Sequence, residues 1–471
     1  MIDRRELLAT AANLGLLPNV VEKDYVLGWL LAGIFGQPAL AGNWVFKGGT
    51  CLKKCYFETY RFSEDLDFTL TDSSHLDIDF LTATFRQVSA SVYQQTGIEF
   101  PPDKIHFEVF QNRRGQMAAQ GRISYRGPIA PSTSELPRIK LDLTTDEVLV
   151  LPPVFRPVSH PYTDAPDEAI TARCYSYEEV FAEKLRALAE RARPRDLYDV
   201  VNLFRHDEFH PAAPVIHDTL AKKCAFKGIP FPTLTTLSPL RDELVTDWAA
   251  MLTHQLPSLP PVEAFWSELP ALFAWIEDAR RPPIPAAIPL AVGDIVIRPP
   301  AGTLSIPGMA STAPIEVIRF AASNRLCVEL DYIDEQGRRS ERTIEPYSLR
   351  RTQAGDIILH AVRADNQLHR SYRIDRIRGA QATQRTFTPR YAVELTPTGP
   401  ISVPPATYGP RITSPTGYTS ASRRTGPTYV YECTLCGKRF HRSTRDSALR
   451  PHKDKTGWPC SGRHGIWVDT R

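Results

Sequence analysis

Residues 44–70 constrain the fold of this 471-residue chain more than any other stretch. Their sequence is WVFKGGTCLKKCYFETYRFSEDLDFTL. Residues 44–46 predict a short buried strand, and residues 50–56 predict the start of a helix. Between them, Gly48 and Gly49 predict a turn that needs glycine torsions or a close approach of the backbone. Because free amides at the start of a helix favour phosphate, this turn is a candidate phosphate site.

Two acids lie farther along the same stretch, in the sequence DLDFTL. Because side chains alternate along a strand, Asp65 and Asp67 are predicted to share one face while Leu66 and Phe68 turn to the core. Two parallel carboxylates repel each other unless a cation lies between them. Oxygen ligands of this kind suit Mg²⁺, which binds through one or two carboxylates plus substrate phosphates. A glycine turn or an acidic strand end is common by itself. The two motifs in this order are a more specific indication of an active site.

This order of motifs resembles the nucleotidyltransferases of the polymerase-beta-like superfamily, whose pattern is Gly-Gly-Ser/Thr, a helix, and Asp-x-Asp on the next strand. The sequence RFSEDLDF is further similar to the AbiEii/AbiGii toxin family, the enzymatic half of type IV toxin–antitoxin and abortive-infection systems. The resemblance covers about residues 15–285 and implies two Mg²⁺ ions held by Asp65 and Asp67. The nucleotide-binding residues that it implies in this stretch are Gly48, Gly49, Thr50 and Ser63.

A third acid lies in the sequence RIKLDLTT, residues 138–145. Strand alternation places the apolar residues of this run in the core and Asp142 on the opposite face. In the superfamily, an acid on a neighbouring strand completes the metal site or activates the attacking hydroxyl, so the resemblance makes Asp142 a predicted catalytic residue. The alternative is a salt bridge at the strand end with Lys140 or Arg138.

Residues 177–204 carry the second strong pattern, two apolar helical stripes separated by a proline. The sequence EKLRALAERARPRDLYD resembles the later motifs of the same family. On that resemblance, Lys184 contacts the triphosphate or the transition state, and Asp199 holds Lys184 or the nucleotide. Arg195 and Asp196 would support them. The alternative is that these charged residues belong to solvated helix faces.

Charge is distributed unevenly along the chain. Residues 1–313 hold 30 lysines and arginines against 38 acids, a net charge of −8, whereas residues 314–471 hold 26 against 15, a net charge of +11. A basic C-terminal third suggests contact with a polyanion or with the acidic part of the same chain. Only the last three of the eight cysteines lie in a motif, so no disulfide framework is indicated. The chain has no membrane-length apolar run and no signal-peptide pattern, so we expect a cytoplasmic protein without a membrane partner.

The length and the patterns predict an α/β (α+β) chain with several units. The predicted units are, in order, a polymerase-beta-like nucleotidyltransferase catalytic domain (1–210), its helical subdomain (211–283), a proline-rich linker (284–313), a small SH3-like β-barrel (314–395), a second linker (396–427) and a zinc finger (428–471). Residues 22–24 belong to a sequence, EKDY, that the resembling family also carries, beside its active site. A capping or solvated role is predicted for each of them, and a place near the active site is the alternative.

Within residues 314–395, GDIILHAVRAD followed by HRSYRIDRIRG resembles the WYL domain of bacterial regulators and defence proteins. The Trp-Tyr-Leu that names the family is Ile-Ile-Leu here. Arg370, Arg373 and Arg376 match its arginine-rich strand, which implies binding of nucleic acid or of a nucleotide-like ligand. All fourteen basic residues of this region are arginine, the residue suited to bidentate phosphate contacts and to stacking on bases. Surface salt bridges are the alternative.

The C-terminal tail carries a CxxC pair followed by a histidine and a further cysteine. Four soft or borderline ligands satisfy tetrahedral zinc and hold together a segment too small to fold alone. The predicted zinc ligands are Cys433, Cys436, His452 and Cys460. Two alternatives stay open. The CxxC pair could be a redox dithiol, and His464 or His441 could replace His452 as the histidine ligand. The basic and aromatic composition of the tail is compatible with contact to RNA or DNA.

Together these features predict a metal-dependent nucleotidyltransferase toxin that transfers a nucleoside monophosphate from an NTP and releases pyrophosphate, in a toxin–antitoxin or phage-defence system. The resemblance makes the 3′ end of tRNA the leading acceptor. It also implies a cognate antitoxin protein as a possible partner. One alternative is transfer to a small hydroxylated molecule. Another is a nucleic-acid-sensing regulatory protein in which the enzyme domain has decayed, and the intact glycine turn, acids and Lys184 argue against it.

Overall fold

The computed structural model describes most of the chain. The described residues are 1–57, 60–129, 135–166, 168–206, 209, 211–277, 295–297, 313–352, 354–397, 401–404, 429–442, 447–454 and 456–470. The predicted linkers, 284–313 and 396–427, lie mainly outside them. The domain boundaries stay predictions.

The N-terminal part is a mixed α/β unit, as the patterns predict. Its helices are α1 (Arg4–Leu14), α2 (Pro18–Phe35), α3 (Pro38–Ala41), α4 (Gly48–Cys51), α5 (Ile78–Thr96), α6 (Tyr177–Arg191), α7 (Pro194–Arg205), α8 (Ala213–Lys227), α9 (Leu234–Leu237), α10 (Arg241–Leu252), α11 (Glu263–Trp266) and α12 (Leu269–Glu277). A π-helical segment, Leu52–Tyr56, continues α4. Its strands are β1 (Trp44–Lys47), β2 (Asp65–Leu70), β3 (Ile105–Gln111), β4 (Met117–Ser124), β5 (Arg138–Thr144), β6 (Val154–Pro157) and β7 (Thr171–Cys174).

These strands form one sheet in the order β3-β4-β5-β2-β1-β7-β6. β2 lies at its centre, parallel to β5 and antiparallel to β1. The predicted alternation is confirmed, because Leu66 and Phe68 are fully buried while Asp65 and Asp67 are partly exposed. The sheet therefore presents the acids of its central strand on one face.

Helices α6 and α7 are separate, as the proline between their stripes predicts. Ala192 has a φ of 46°, in the left-handed region, and ends α6. Pro194 occupies the first turn of α7, where its missing N–H costs no hydrogen bond. The short connection sets the acids of α7 beside the lysine of α6.

The expectation that residues 22–24 are capping or solvated is wrong for two of them. Glu22 and Asp24 are 2% exposed within α2, which lies inside the protein. Asp24 Oδ2 accepts a hydrogen bond from Lys54 Nζ at 2.8 Å, and Glu22 Oε1 accepts one from the amide of Ile129 at 2.7 Å. Buried carboxylates need such partners, which come from distant parts of the chain.

The C-terminal part contains small β-sheets preceded by the predicted amphipathic helix, α13 (Ala313–Ser323). Its strands, with one from the region before α13, are β8 (Ile295–Ile297), β9 (Leu326–Ile333), β10 (Arg339–Arg351), β11 (Ile357–Arg363), β12 (His369–Arg373), β13 (Ile377–Thr386), β14 (Ile401–Val403), β15 (Tyr429–Cys433), β16 (Arg439–Arg442), β17 (His452–Lys453), β18 (Pro459–Cys460) and β19 (Gly465–Thr470). The main sheet is antiparallel, in the order β12-β11-β10-β9-β13. Helix α13 packs on β9 and β13 and also contacts α1. No helix among the described residues is both long and apolar enough to cross a membrane.

Trp458, from the C-terminal tail, packs against the five-stranded sheet. Its indole stacks on Tyr391 with ring centroids 5.0 Å apart, and it meets the rings of His369 and His360 edge-on at 4.0 and 4.9 Å. Tyr391 also donates a hydrogen bond to Asp454 of the tail at 3.3 Å. The tail and the sheet therefore share one small aromatic cluster.

Candidate active site

Asp65 and Asp67 lie at the start of β2, in the middle of the seven-stranded sheet. The parallel pairing with β5 sets Asp142 directly beside Asp67 and Lys140 beside Asp65. All three predicted acids therefore occupy the same face of two adjacent strands.

The glycine turn lies against these acids. Gly48 has a φ of +81°, which favours glycine, and a Cβ atom there would lie 2.2 Å from Asp67 Oδ2. A Cβ atom on Gly49 would lie 2.5 Å from a guanidinium nitrogen of Arg61 and 3.1 Å from the Ser63 hydroxyl. The turn therefore has no room for side chains, and its backbone approaches both the acids and the residues before β2.

Thr50 connects the turn to β2 directly. Its hydroxyl donates a hydrogen bond to the carbonyl oxygen of Asp65 at 2.5 Å. Thr50 is itself 1% exposed, so this contact fixes the backbone rather than presenting the hydroxyl to solvent.

The electrostatics of the acids favour a bound cation. Burial raises the pKa of both Asp65 and Asp67. Lys140 opposes this rise for Asp65 and Lys47 opposes it for Asp67, whereas the charge of Asp142 adds to it for both. A cation between such carboxylates relieves both the burial and the repulsion. The all-oxygen donor set fits Mg²⁺.

Asp142 forms the salt bridge given as the alternative to a catalytic role, which stays a prediction. Its carboxylate accepts hydrogen bonds from Lys140 Nζ at 2.6 Å and from Gln120 Nε2 at 3.2 Å, so the alternative salt bridge is present. The Lys140 side chain is 42% exposed, and an exposed pair of this kind contributes little stability. The same carboxylate lies beside Asp67, where it can also act on a substrate.

A buried ion network lies behind the acids. Lys184 Nζ is 2.8 Å from Asp199 Oδ2 and 3.3 Å from Asp196 Oδ1. Arg61 donates two hydrogen bonds to Asp199, each 2.7 Å long. Burial opposes ionisation of Asp199, but Arg61 and Lys184 outweigh it and hold the pKa of that carboxyl well below its usual range. Asp199 is fully buried and holds Lys184, which is one of the two roles implied by the resemblance.

Two arginines extend this network. Arg191, a position of the resembling motif to which no site role was assigned, donates hydrogen bonds to Asp196 at 2.7 and 2.9 Å, and its charge also acts on Asp67. Arg195 Nε is buried without a hydrogen-bond partner among the described residues. Burial and the nearby Arg61 both lower the pKa of Arg195. A guanidinium in such surroundings suits an anionic ligand.

The arginine-rich strand of the C-terminal part is partly neutralised. Arg373 lies 2.7 Å from Asp356, and Arg376 lies 3.1 Å from Glu335. Arg370 is exposed and donates a hydrogen bond to the carbonyl of His369. Salt bridges, the alternative for these arginines, are therefore present at two of the three predicted positions.

The predicted zinc ligands converge in the tail. The ligand atoms of Cys433, Cys436, His452 and Cys460 all lie within 4.8 Å of one another. Cys433 Sγ is 3.7 Å from Cys460 Sγ, and Cys436 Sγ is 3.4 Å from His452 Nε2. The other ring nitrogen of His452 lies 3.0 Å from the carbonyl oxygen of Arg450, a contact that orients the ring. The donor set and its spacing fit tetrahedral zinc.

The surroundings of Cys433 also favour a metal ligand. Burial opposes ionisation of this thiol, but the amides of Cys436 and Leu435 outweigh it and lower the pKa to about 6. A Cβ atom on Gly462 would lie 2.4 Å from the Cys433 sulfur, so glycine is needed there. Thiolates are the form that zinc binds.

We expect Cys436→Ser to lower the zinc content of the full chain by one equivalent, as measured by elemental mass spectrometry. His452→Ala should have the same effect, because both residues supply ligand atoms. His441→Ala and His464→Ala are matched controls and should leave the zinc content unchanged, since neither belongs to the group of converging atoms. Loss of zinc in a control variant, with retention in His452→Ala, would reassign the fourth ligand.

Comparisons with known proteins agree with these motifs. Residues 29–278 match the family described as nucleotidyl transferase AbiEii toxin, type IV TA system, and residues 314–382 match the WYL domain. The chain is similar to the solved structure of MenT4, a nucleotidyltransferase toxin from Mycobacterium tuberculosis H37Rv, at 22% identity over 58% of this chain and 89% of that chain, with a TM-score of 0.38. It is also similar to proteasome accessory factor B/C (PafBC) of Arthrobacter aurescens, at 14% identity over 62% of this chain and 41% of that chain, with a TM-score of 0.16. No curated protein sequence gives a significant match.

Both resemblances drawn from the sequence motifs are confirmed by the family matches. The first match spans more than half of the chain. It contains the glycine turn, the acids of β2 and β5, and the ion network around Lys184. The chain is therefore a nucleotidyltransferase and belongs to the AbiEii family of type IV toxin–antitoxin systems.

Proposed function

We propose that this toxin transfers a nucleoside monophosphate from an NTP to the 3′ end of tRNA in a magnesium-dependent reaction. The observation that carries the proposal is the pair of acids on β2, Asp65 and Asp67, packed against a glycine turn that admits no side chain. A nucleotidyltransferase needs carboxylates for the metal and a close backbone approach for the phosphates, and this arrangement supplies both.

In this proposal, Asp65 and Asp67 would hold the metal ions, and the backbone of Gly48 and Gly49 would contact the triphosphate. Bound Mg²⁺ would neutralise charge on the triphosphate and lower the pKa of the attacking hydroxyl. Asp142, at the side of Asp67, receives the proton of that hydroxyl. The new bond forms between the acceptor oxygen and the α-phosphorus, and the bond from that phosphorus to pyrophosphate breaks.

The cations behind the acids have a separate role. Lys184 and Arg191 both form ion pairs with Asp196, and both act electrostatically on Asp67. With Arg195 they give the site positive charge that is fixed before the substrate arrives. Such preorganised charge stabilises the negative charge that develops on the leaving pyrophosphate.

The charge distribution supports RNA as the acceptor. Residues 1–313 carry a net charge of −8, which by itself repels RNA, whereas residues 314–471 carry +11. Arginine supplies all fourteen basic side chains of residues 314–395. We propose that this part of the chain holds the tRNA while its 3′ end reaches the acids of β2. The family's type IV designation pairs such a toxin with a separate antitoxin protein.

The direct test is to incubate the purified full chain with each α-labelled NTP, Mg²⁺ and total RNA. We expect label from one NTP to enter the tRNA fraction, and to be removed by an exonuclease that trims 3′ ends. Label that enters RNA of other size classes would reject tRNA as acceptor, and label that enters only small molecules would reject RNA. Asp67→Asn is the inactive control.

Arginines that form an ion pair should contribute less to RNA binding than Arg370, for which the described part of the chain shows no ion pair. We therefore expect Arg370→Ala to weaken tRNA binding and to flatten its log–log dependence on salt by about 0.7 to 0.9, the value for one lost phosphate contact. Arg376→Ala should change the slope less, because Glu335 already neutralises that side chain. Filter binding or fluorescence anisotropy over a salt series gives both slopes. An unchanged slope for Arg370→Ala would place the RNA contact elsewhere.

A further inference from the structure

A second group of converging cysteines lies directly behind the glycine turn. The sulfur atoms of Cys51, Cys55 and Cys174 all lie within 4.8 Å of one another. Their residues are 0%, 5% and 0% exposed, so the three thiols are shielded from solvent. A single buried cysteine usually behaves as a small apolar side chain, but three thiols that face one another form a set of soft ligands.

The three cysteines come from three different elements of the catalytic unit. Cys51 ends α4 and follows Thr50, and Cys55 lies in the π-helical segment that continues it. Cys174 ends β7, where it is paired with Phe46 of β1, the strand that leads into the glycine turn. A π-helical insertion is uncommon and is found frequently at functional sites, and here it lies within the thiol cluster.

We propose that Cys51, Cys55 and Cys174 bind one thiophilic metal ion, of the Zn(II) or Cu(I) type, which fastens the glycine turn to β7. The ion would be separate from the Mg²⁺ that the oxygen ligands of β2 suit, because soft metals select thiolates over carboxylates. It would also be separate from the zinc of the tail.

The sulfur separations are compatible with a shared metal ion. Zinc–thiolate bonds of about 2.3 Å place the sulfurs of a tetrahedral site roughly 3.8 Å apart, which lies within the observed limit. A disulfide needs about 2.05 Å between two sulfurs and leaves the third cysteine unused. In the structure all three cysteines are free thiols.

One cation lies beside the cluster and would offset part of the charge of bound thiolates. Binding displaces the thiol protons to solvent, up to three per ion, and three thiolates leave excess negative charge on the site. Arg156 lies at the edge of the cluster, where its Nε donates a hydrogen bond to the carbonyl oxygen of Cys55 at 2.7 Å. Its guanidinium lies 4.5 Å from the centre of the Tyr56 ring, so a fixed positive charge is available nearby.

Metal content measured without nucleotide tests this proposal independently of the transferase reaction. The Cys433→Ser/Cys436→Ser variant of the full chain removes the tail site. After anaerobic loading with Zn(II) or Cu(I) in separate samples, we expect it to retain about one equivalent of one of these metals. Adding Cys174→Ser should abolish that equivalent, whereas adding Cys224→Ser, a buried cysteine of α8 outside the cluster, should leave it unchanged.

A second measurement covers the case in which Cys174→Ser fails to fold. The Cys433→Ser/Cys436→Ser variant, with its cluster intact, is loaded with Co(II), which substitutes for zinc and gives an intense charge-transfer absorption when thiolates bind it. We expect that absorption at one equivalent of Co(II). Its absence together with less than about 0.1 equivalent of Zn(II) or Cu(I) would overturn the proposal. A Cys51–Cys55 or Cys55–Cys174 disulfide in the unreduced protein, with no bound metal, would replace it with a redox pair.

Discussion

Asp67→Asn is expected to abolish nucleotidyl transfer and, at the same time, to stabilise the metal-free protein. In the proposed reaction a bound metal contributes several kcal/mol as a Lewis acid, so the rate should fall by at least about 10³-fold. The stability effect has the opposite sign because the pKa of Asp67 is raised in the folded state. A carboxyl with a raised pKa binds its proton more tightly when folded, so its ionisation at neutral pH costs stability. Asparagine removes that cost.

Thermal unfolding at neutral pH without divalent metal measures the second effect. We expect a gain of about 1 kcal/mol for Asp67→Asn, within the range of single stabilising substitutions. Added Mg²⁺ should raise the melting temperature of the wild type and not that of the variant. Asp103→Asn is the matched control, since its side chain is 74% exposed and it should change neither activity nor stability. Full activity of Asp67→Asn would reject the metal-holding role.

Lys184→Met is expected to slow transfer by about 10² to 10³-fold and to destabilise the fold. The Lys184 ammonium is 7% exposed and lies between Asp196 and Asp199, which are fully buried. Removing one partner of a buried ion pair typically costs about 3 to 5 kcal/mol, because an uncompensated charge remains. Lys222→Met is the control, because its side chain is 57% exposed and its ion-pair partner among the described residues is an exposed aspartate.

A double variant separates the two roles of this lysine. Lys184→Met with Asp196→Asn removes one cation and one anion and leaves the Arg61–Asp199 pair intact. We expect it to recover most of the stability without recovering the rate, because the positive charge near the triphosphate is still missing. Recovery of both would show that Lys184 only neutralises the acids of α7.

The face that carries the predicted acids could be predicted from the sequence because it depends on local periodicity. The alternation of DLDFTL and RIKLDLTT determines which residues face the core, and the pairing of β2 with β5 then brings Asp65, Asp67 and Asp142 together. The proline between the two helical stripes likewise predicted that α6 and α7 are separate. What the periodicity leaves undetermined is which strands become neighbours.

Residues that depend on those neighbours were missed or misassigned. Cys174 joins Cys51 and Cys55 because β7 pairs with β1 in parallel. Local sequence patterns do not predict that pairing. Asp24 is buried because Lys54 reaches it from the π-helical segment, so its role depends on a tertiary contact. Arg191 lies at the end of α6, where a charged residue is ordinary, and only the approach of Asp196 gives it a place in the site.

The packing of Trp458 has a thermodynamic consequence for the tail. The indole lies two residues before Cys460, one of the predicted zinc ligands, and it is 8% exposed in the cleft lined by His360, His369 and Tyr391. Ordering the ligands and burying the indole are therefore parts of one event, so their free energies add. The apparent affinity for zinc should be higher in the full chain than in an isolated tail peptide. By reciprocity, removing the metal with a chelator should loosen the tail from the five-stranded sheet.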